Sequence, residues 1–410
     1  MRKRSTRNFI RDTYKAIYSL FIHLIDWVVL LFVQGKPPES GSIKKVFIIR
    51  LDAIGDFILW FDAAKEFRTL FPADQYRITL LGNRIWTPLA ESIPIFDEVL
   101  SLERARFSSG SMYRYKTLKR MRRAGYVIVI QPTASREFLL GDSVVRFCGA
   151  KERIGYEGDC SNILPFLKRI SDNWYTRLVH ASREPLMELE RNAEFLRGLG
   201  LPAFRCGIPE LRNFFPPSLS TGLPDYYVLF PGVGLPIKQW PAQNFAGLAA
   251  RIYKDTGWTG IVCGGPGEEG IGDSLLRSTD APLENRSGRT SLQELASLIA
   301  GARLVVANDT SAIHIAAAVS TPAVCILGGG HYGRFVPYRI EPPTEKPLPV
   351  PVVYTMDCYY CNWDCIYDPK KGDPAPCVRN ISVDAAWDTV RQILSRIAGE
   401  PSVTDGRFTE

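Results

Sequence analysis

The run Leu304-Val305-Val306-Ala307-Asn308-Asp309-Thr310-Ser311-Ala312-Ile313-His314 carries an apolar strand pattern straight into the start of an Ala-rich helix. Helix starts leave backbone N–H groups without partners and carry partial positive charge, so such a junction suits an anion. Hydroxyls on Thr310 and Ser311 and the next-turn imidazole of His314 would complete a diphosphate cradle. The plainer reading makes Asp309 or Thr310 a helix cap and His314 a satisfied core histidine. This segment alone leaves both open.

Other loops bring similar chemistry. In Arg50-Leu51-Asp52-Ala53-Ile54-Gly55-Asp56, Gly55 permits a tight turn and Asp56 becomes a candidate general base, with Arg50 nearby to keep it ionised or to orient an acceptor. An N-cap Asp is the ordinary alternative. Gln131-Pro132-Thr133-Ala134-Ser135-Arg136 offers Arg136 as a second acceptor contact, or simply a surface arginine. Phe230-Pro231-Gly232-Val233-Gly234 leads to Lys238 just before a helix opened by Pro241, a loop whose small residues admit phosphate while lysine supplies charge. Cys263-Gly264-Gly265-Pro266-Gly267-Glu268 places a carboxylate where a ribose diol can be bridged. Each loop alone is an ordinary turn; their common position at expected strand ends gives them weight.

The elements that must hold these loops alternate along the chain. Val46–Ile49, Arg77–Leu81 and Tyr126–Ile130 read as buried parallel strands, with an amphipathic stretch at Asp62–Phe71. Residues 202–224, rich in Pro and Ser, read as a linker. Strands then resume at Tyr226–Phe230, Thr259–Cys263, Leu304–Ala307 and Ala323–Leu327, with helices near 241–255, 291–301 and 311–319. The expectation is α/β: two Rossmann-like domains, 44–205 and 225–395, facing a central cleft.

The net charge of +7 is modest but clustered. Arg2, Lys3, Arg4, Arg7 and Arg11 crowd the start, and Arg104, Arg106, Arg114, Lys116, Lys119, Arg120, Arg122 and Arg123 form a second basic stretch. Neither carries a nucleic-acid motif, which points to acidic lipid or a phosphorylated acceptor, or to a solvated face, rather than to nucleic acid. Residues 1–35 form an amphipathic segment. Arg7, Arg11, Lys15, Ser19, His23 and Asp26 share one side of a helical wheel, leaving a broad apolar face with Trp27 near its end. Such a helix suits an anionic membrane interface. His23 and Asp26 would make a transmembrane span of residues 13–33 costly, and packing on the protein's own core is the third alternative.

Val46–Asp56, Phe230-Pro231-Gly232 with Lys238-Gln239-Trp240-Pro241, Gly264–Glu268 and Asn308–His314 together resemble glycosyltransferase family 9, the lipopolysaccharide heptosyltransferase family, across residues 44–395. The resemblance implies a GT-B fold and inverting sugar transfer with no metal or other cofactor in catalysis. It implies an acceptor-binding first domain with Asp56 as base; Arg50 and Arg136, read from their own loops, are the candidate acceptor contacts. It also implies a second domain that binds a nucleotide-diphosphate sugar through Gly232, Lys238, Glu268, Asp309, Thr310, Ser311, Ala312 and His314. The expected acceptor is a lipid-linked saccharide at the cytoplasmic face of the inner membrane, where the protein would sit peripherally. Heptose from ADP-heptose is one donor; a UDP-hexose or UDP-N-acetylhexosamine for O-antigen or capsule is another, and a silent nucleotide-sugar-binding scaffold is a third reading. Asp52 stands where Ser or Thr is usual and adds charge beside Asp56, while Ser311 stands where Gly is usual and adds bulk at the diphosphate.

Nine cysteines complete the inventory. Cys148, Cys160, Cys206, Cys263 and Cys325 are scattered, mostly beside apolar residues, as reduced thiols are. Cys358, Cys361, Cys365 and Cys377, within the loop 358–377, have the spacing of a structural Zn²⁺ site. An iron–sulfur cluster or simply reduced loop thiols are the alternatives.

Overall fold

The computed structural model describes residues 6–35, 43–110, 112–217, 225–341 and 343–398. Arg2, Lys3, Arg4 and the 218–224 part of the expected linker lie outside the described residues. The chain divides into two compact units, Met1–Gly207 and Ile208–Glu410.

The first unit is built on a six-stranded sheet: β1 (Lys44–Arg50), β2 (Tyr76–Asn83), β3 (Glu98–Leu102), β4 (Ile128–Gln131), β5 (Glu152–Tyr156) and β6 (Arg177–Val179), in the order β3-β2-β1-β4-β5-β6. All neighbours pair in parallel. Val46, Phe47 and Ile48 are fully buried, which is why this run is apolar without alternation. The second unit repeats the plan with β7 (Tyr226–Phe230), β8 (Thr259–Val262), β9 (Leu283–Asn285), β10 (Leu304–Asn308), β11 (Ala323–Ile326) and β12 (Val350–Val352), in the order β12-β11-β10-β7-β8-β9. It too is parallel throughout.

In each sheet the order reverses beside the first strand, between β1 and β4 and between β7 and β10. Open parallel sheets bind ligands beyond the carboxyl ends of the strands at such switch points. The four loops that leave these ends are 51–53, 132–137, 231–240 and 309–310, and they hold Arg136, Gly232, Lys238, Asp309 and Thr310.

Two expectations change. The stretch Asp62–Phe71 is not one helix: α2 runs Ile54–Lys65, so it opens directly after the β1 loop, and a separate short turn follows at Phe67–Leu70. The described part of the segment 1–35 packs on the protein itself, the third alternative above. Its helix, α1 (Thr6–Leu30), lies on the first unit, and it does so through its polar stripe: Ser19 and Asp26 are buried while Tyr14, Phe21, Leu24 and Trp27 are exposed.

Candidate active site

In the second unit, Thr310 occupies the N-cap position of the helix Ser311–Ala318 with extended backbone. Its side chain does not cap: the Oγ1 atom is buried and has no hydrogen-bond partner among the described residues. A buried, unanswered hydroxyl at a helix start is what an anion-binding end requires and what simple capping does not. Ala312 and His314 are buried on the first turn, and Ser311 is partly exposed beside Thr310.

Lys238 reaches this point from the β7 loop and donates from Nζ to Asp309 Oδ2 at 3.0 Å. Burial pushes the Asp309 carboxyl up, but the Lys238 and His314 charges and the lysine hydrogen bond outweigh it and hold Asp309 below the ordinary carboxylate range. The imidazole of His314 pairs through Nδ1 with the Tyr338 hydroxyl at 2.8 Å and stacks on that ring. The two loops are tied by Asn308, whose Nδ2 donates to Pro231 O at 2.8 Å while its Oδ1 accepts from Trp240 N at 3.0 Å. A fully buried amide thus fixes the spacing between Lys238 and the helix start.

Gly232 and Glu268 also meet. A β-carbon at position 232 would collide with the Glu268 carboxylate, which accepts from Gly265 N at 2.7 Å. The glycine is therefore room for the carboxylate, which sits half-buried beyond β8.

In the first unit, Asp56 is at the third residue of α2, half-buried, and its Oδ2 accepts from Ala53 N at 3.2 Å. Asp56 is thus not the N-cap, which is Ala53; it stands at N3 and reaches back to the N-cap N–H, a bond that orients it after the end of β1. The two arginines take places different from those expected. Arg50 is fully buried and committed to carboxylates, with Asp52 at 2.7 Å, Glu188 at 3.4 Å and the Asn192 amide at 3.2 Å. Arg136 is equally buried, paired with Asp142 and Asp172 above the Tyr175 ring. Neither presents a solvent-facing guanidinium, because buried charges need partners and these have them inside the fold. Asp52 completes the Arg50 cluster; burial pushes its carboxyl above the ordinary range, against the pull of Arg50.

Cys358, Cys361, Cys365 and Cys377 line one small cavity with Trp363 and Met356. Burial pushes the Cys377 thiol up, and the neighbouring Cys361, Cys358 and Cys365 push it the same way. Among the described residues, however, no three His, Cys, Asp or Glu side chains stand in an arrangement that holds a metal ion. All nine cysteines are free thiols.

This loop supplies what sequence reasoning missed. The Trp363 ring centroid is 5.0 Å from Lys238 Nζ, and Asn362 Oδ1 lies 2.7 Å from His331 Nε2. Burial and then Lys238 push the His331 imidazole down to about 4. Nothing in the spacing of Trp363 or His331 marks them; only the fold over Gly329 and Gly330 brings them to Lys238, where each glycine leaves space for a ring.

The sequence profile of Glycosyltransferase family 9 (heptosyltransferase) matches residues 114–342. The chain belongs to glycosyltransferase family 9. Lipooligosaccharide heptosyltransferase 2 of Haemophilus influenzae is 33% identical over 115 residues, 27% of this chain and 32% of that protein. The chain therefore spans about a third of the length of that relative. The solved E. coli ADP-heptose LPS heptosyltransferase II matches with a TM-score of 0.61 at 19% identity, covering 86% of this chain and 99% of that one. The iron-containing dodecameric glycosyltransferase TibC from enterotoxigenic E. coli matches at 0.51 and 14% identity, covering 89% and 78%. At such identities the likeness concerns fold, and it is the α/β GT-B fold expected for family 9.

Proposed function

We propose that this family 9 protein transfers a sugar, heptose from ADP-heptose as the leading donor, onto a lipid-linked saccharide of lipopolysaccharide or another surface glycan. The single observation that carries the reading is the orphaned Thr310 hydroxyl at the start of the 311–318 helix, beside the Lys238–Asp309 pair at the sheet's switch point. These groups suit a diphosphate: the helix start and Lys238 face negative charge, and Thr310 donates to it. Glu268, held by Gly265 N and given room by Gly232, suits a ribose diol.

The mechanism proposed is a single displacement with inversion. Asp56, oriented by Ala53 N, takes the acceptor hydroxyl proton as that oxygen attacks the anomeric carbon. The bond to the diphosphate breaks, and its developing charge falls on Lys238, Thr310, the helix start and His314, so no divalent ion is needed for the chemistry. Arg50 and Arg136 act within the first unit, through the loops they brace, rather than by direct acceptor contact. The four-cysteine loop stands apart from the chemistry: its thiols line one cavity, but among the described residues they are not arranged to hold a metal ion. The reaction is placed at the cytoplasmic face of the inner membrane, where lipid-linked acceptors are assembled.

A donor panel tests this reading. Purified protein, acceptor lipid and either ADP-heptose or a UDP-hexose or UDP-N-acetylhexosamine are assayed for nucleoside diphosphate release. Acceptor-dependent ADP release is expected. Release only from a UDP-sugar overturns the donor assignment, and nucleotide binding without release from any donor favours a scaffold.

A further inference from the structure

The contacts of α1 run along its length at helical spacing. Tyr18 donates to Ser108 O at 3.1 Å, Ile22 fills the space over Gly110, Asp26 binds Arg114, and Val33 O accepts from Arg122 Nε at 2.5 Å. Their partners advance in the same direction along Ser108–Arg122, so α1 lies alongside the helix Met112–Arg123 and runs parallel to it. The central contact is the strongest. Arg114 Nε and Nη2 hold both carboxylate oxygens of Asp26 at 2.6–2.9 Å, with both side chains buried. Next to it, His23 stacks on Trp174 at 4.6 Å and abuts Phe138 and Phe147.

The C-terminal half of the polar stripe, Ser19, His23 and Asp26, is therefore turned into the protein, and most of the apolar side chains of the helix point out. Tyr14, Ile17, Phe21 and Leu24 on the helix and Leu31 and Phe32 just after it are each more than half exposed, an apolar surface that soluble monomers rarely leave uncovered. The same two helices carry exposed cations: Arg11 and Lys15 near the start of α1, Lys116 and Arg123 on its neighbour.

We propose that α1 is an in-plane lipid anchor, bound to an anionic bilayer by its outward apolar face and held in one orientation on the first unit by the Asp26–Arg114 and His23 contacts. Although Arg11–Leu30 is long and apolar enough to cross a bilayer, crossing would strip every contact in the stripe and leave Arg114 buried without its carboxylate. An interfacial helix needs only one apolar face and neighbouring positive charge, which is what is presented. The idea rests on the proposed lipid-linked acceptor only for its purpose; its evidence is the seating of the helix.

The test uses the full chain and vesicles of phosphatidylethanolamine with phosphatidylglycerol, free of donor and acceptor, so that its outcome is independent of transfer. Cosedimentation of the wild type is expected, with at least a ten-fold loss in partitioning for Phe21→Ser/Leu24→Ser/Val28→Ser. All three positions are exposed, and an unchanged thermal transition verifies that the variant is folded. On vesicles, hydrogen exchange of residues 112–123 should remain as slow as in solution, because the helix is not withdrawn from its seat. Equal vesicle binding by the variant overturns the proposal. So does faster exchange of 112–123 on vesicles, which marks a span, and so does a wild type that ignores vesicles but dimerises through this face.

Discussion

Replacing Lys238 by Met removes one half of a nearly buried ion pair while keeping the length of the side chain. Breaking a fully buried pair costs about 3–5 kcal/mol, because the remaining charge is stranded. The Lys238 side chain is 15% exposed and that of Asp309 5%, so residual solvent screening lowers the cost to just under that range, about 2–3 kcal/mol. For a unit of this size that corresponds to a fall in Tm of roughly 5–10 °C. The loss has a pH signature. In the wild type the folded Asp309 carboxyl lies below its ordinary value, so its contribution is present at neutral pH and is lost only as pH falls through that lowered value. Without Lys238, burial pushes the same carboxyl up with only His314 and His331 opposing. Its folded value then exceeds the unfolded one, and stability drops as pH rises. The gap between wild type and Lys238→Met should therefore be wider at pH 7.5 than at pH 5. Calorimetric Tm measured at both pH values for Lys238→Met, Asp309→Asn and the double variant gives the coupling directly. A strictly additive double variant, or a gap that does not depend on pH, would refute the assignment of this pair. ADP titration of the same proteins should show at least ten-fold weaker binding for Lys238→Met, as expected when a charged contact to phosphate is lost.

Further outcomes are expected. Asp56→Asn should keep ADP affinity while turnover drops about 10²-fold or more, the scale for a positioned general base; turnover near wild type would remove Asp56 from that role. EDTA should leave turnover intact; turnover lost on chelation and restored only by Mg²⁺ or Mn²⁺ would count against the metal-free mechanism. Deletion of residues 1–35 should lower thermal stability, because Arg114 loses Asp26 and keeps its burial. Equal Tm with and without the segment would show that the buried pair contributes nothing.

The sequence shows the two α/β units and the strand-end loops well, because buried parallel strands are apolar on both faces and leave a continuous signal, as in Val46–Ile49 and Leu304–Ala307. The strands missed are shorter or more polar: Glu98–Leu102, Glu152–Tyr156, Arg177–Val179, Leu283–Asn285 and Val350–Val352 lie at or next to a sheet edge. A helical wheel finds the stripe of Ser19, His23 and Asp26 but not the side it faces, since its partner Arg114 is 88 residues away. The basic stretch misleads for the same reason. Arg104 is spent on Leu51 O and Glu137, Arg114 on Asp26 and Arg122 on Val33 O, so much of that charge braces the fold. Of the candidate site, Lys238, Asp309, Thr310 and His314 are legible because they share short motifs. Arg50 and Arg136 are misplaced because burial depends on Glu188, Asp142 and Asp172, which are far away in the chain or carry no motif of their own.

A crystal structure of the protein with ADP bears most directly on the central assignment. The β-phosphate is expected within hydrogen-bond distance of the Thr310 hydroxyl and the first backbone amides of the 311–318 helix, with Lys238 Nζ on the diphosphate and Glu268 on the ribose. A nucleotide bound elsewhere, or one that leaves the Thr310 hydroxyl unpartnered, would contradict it.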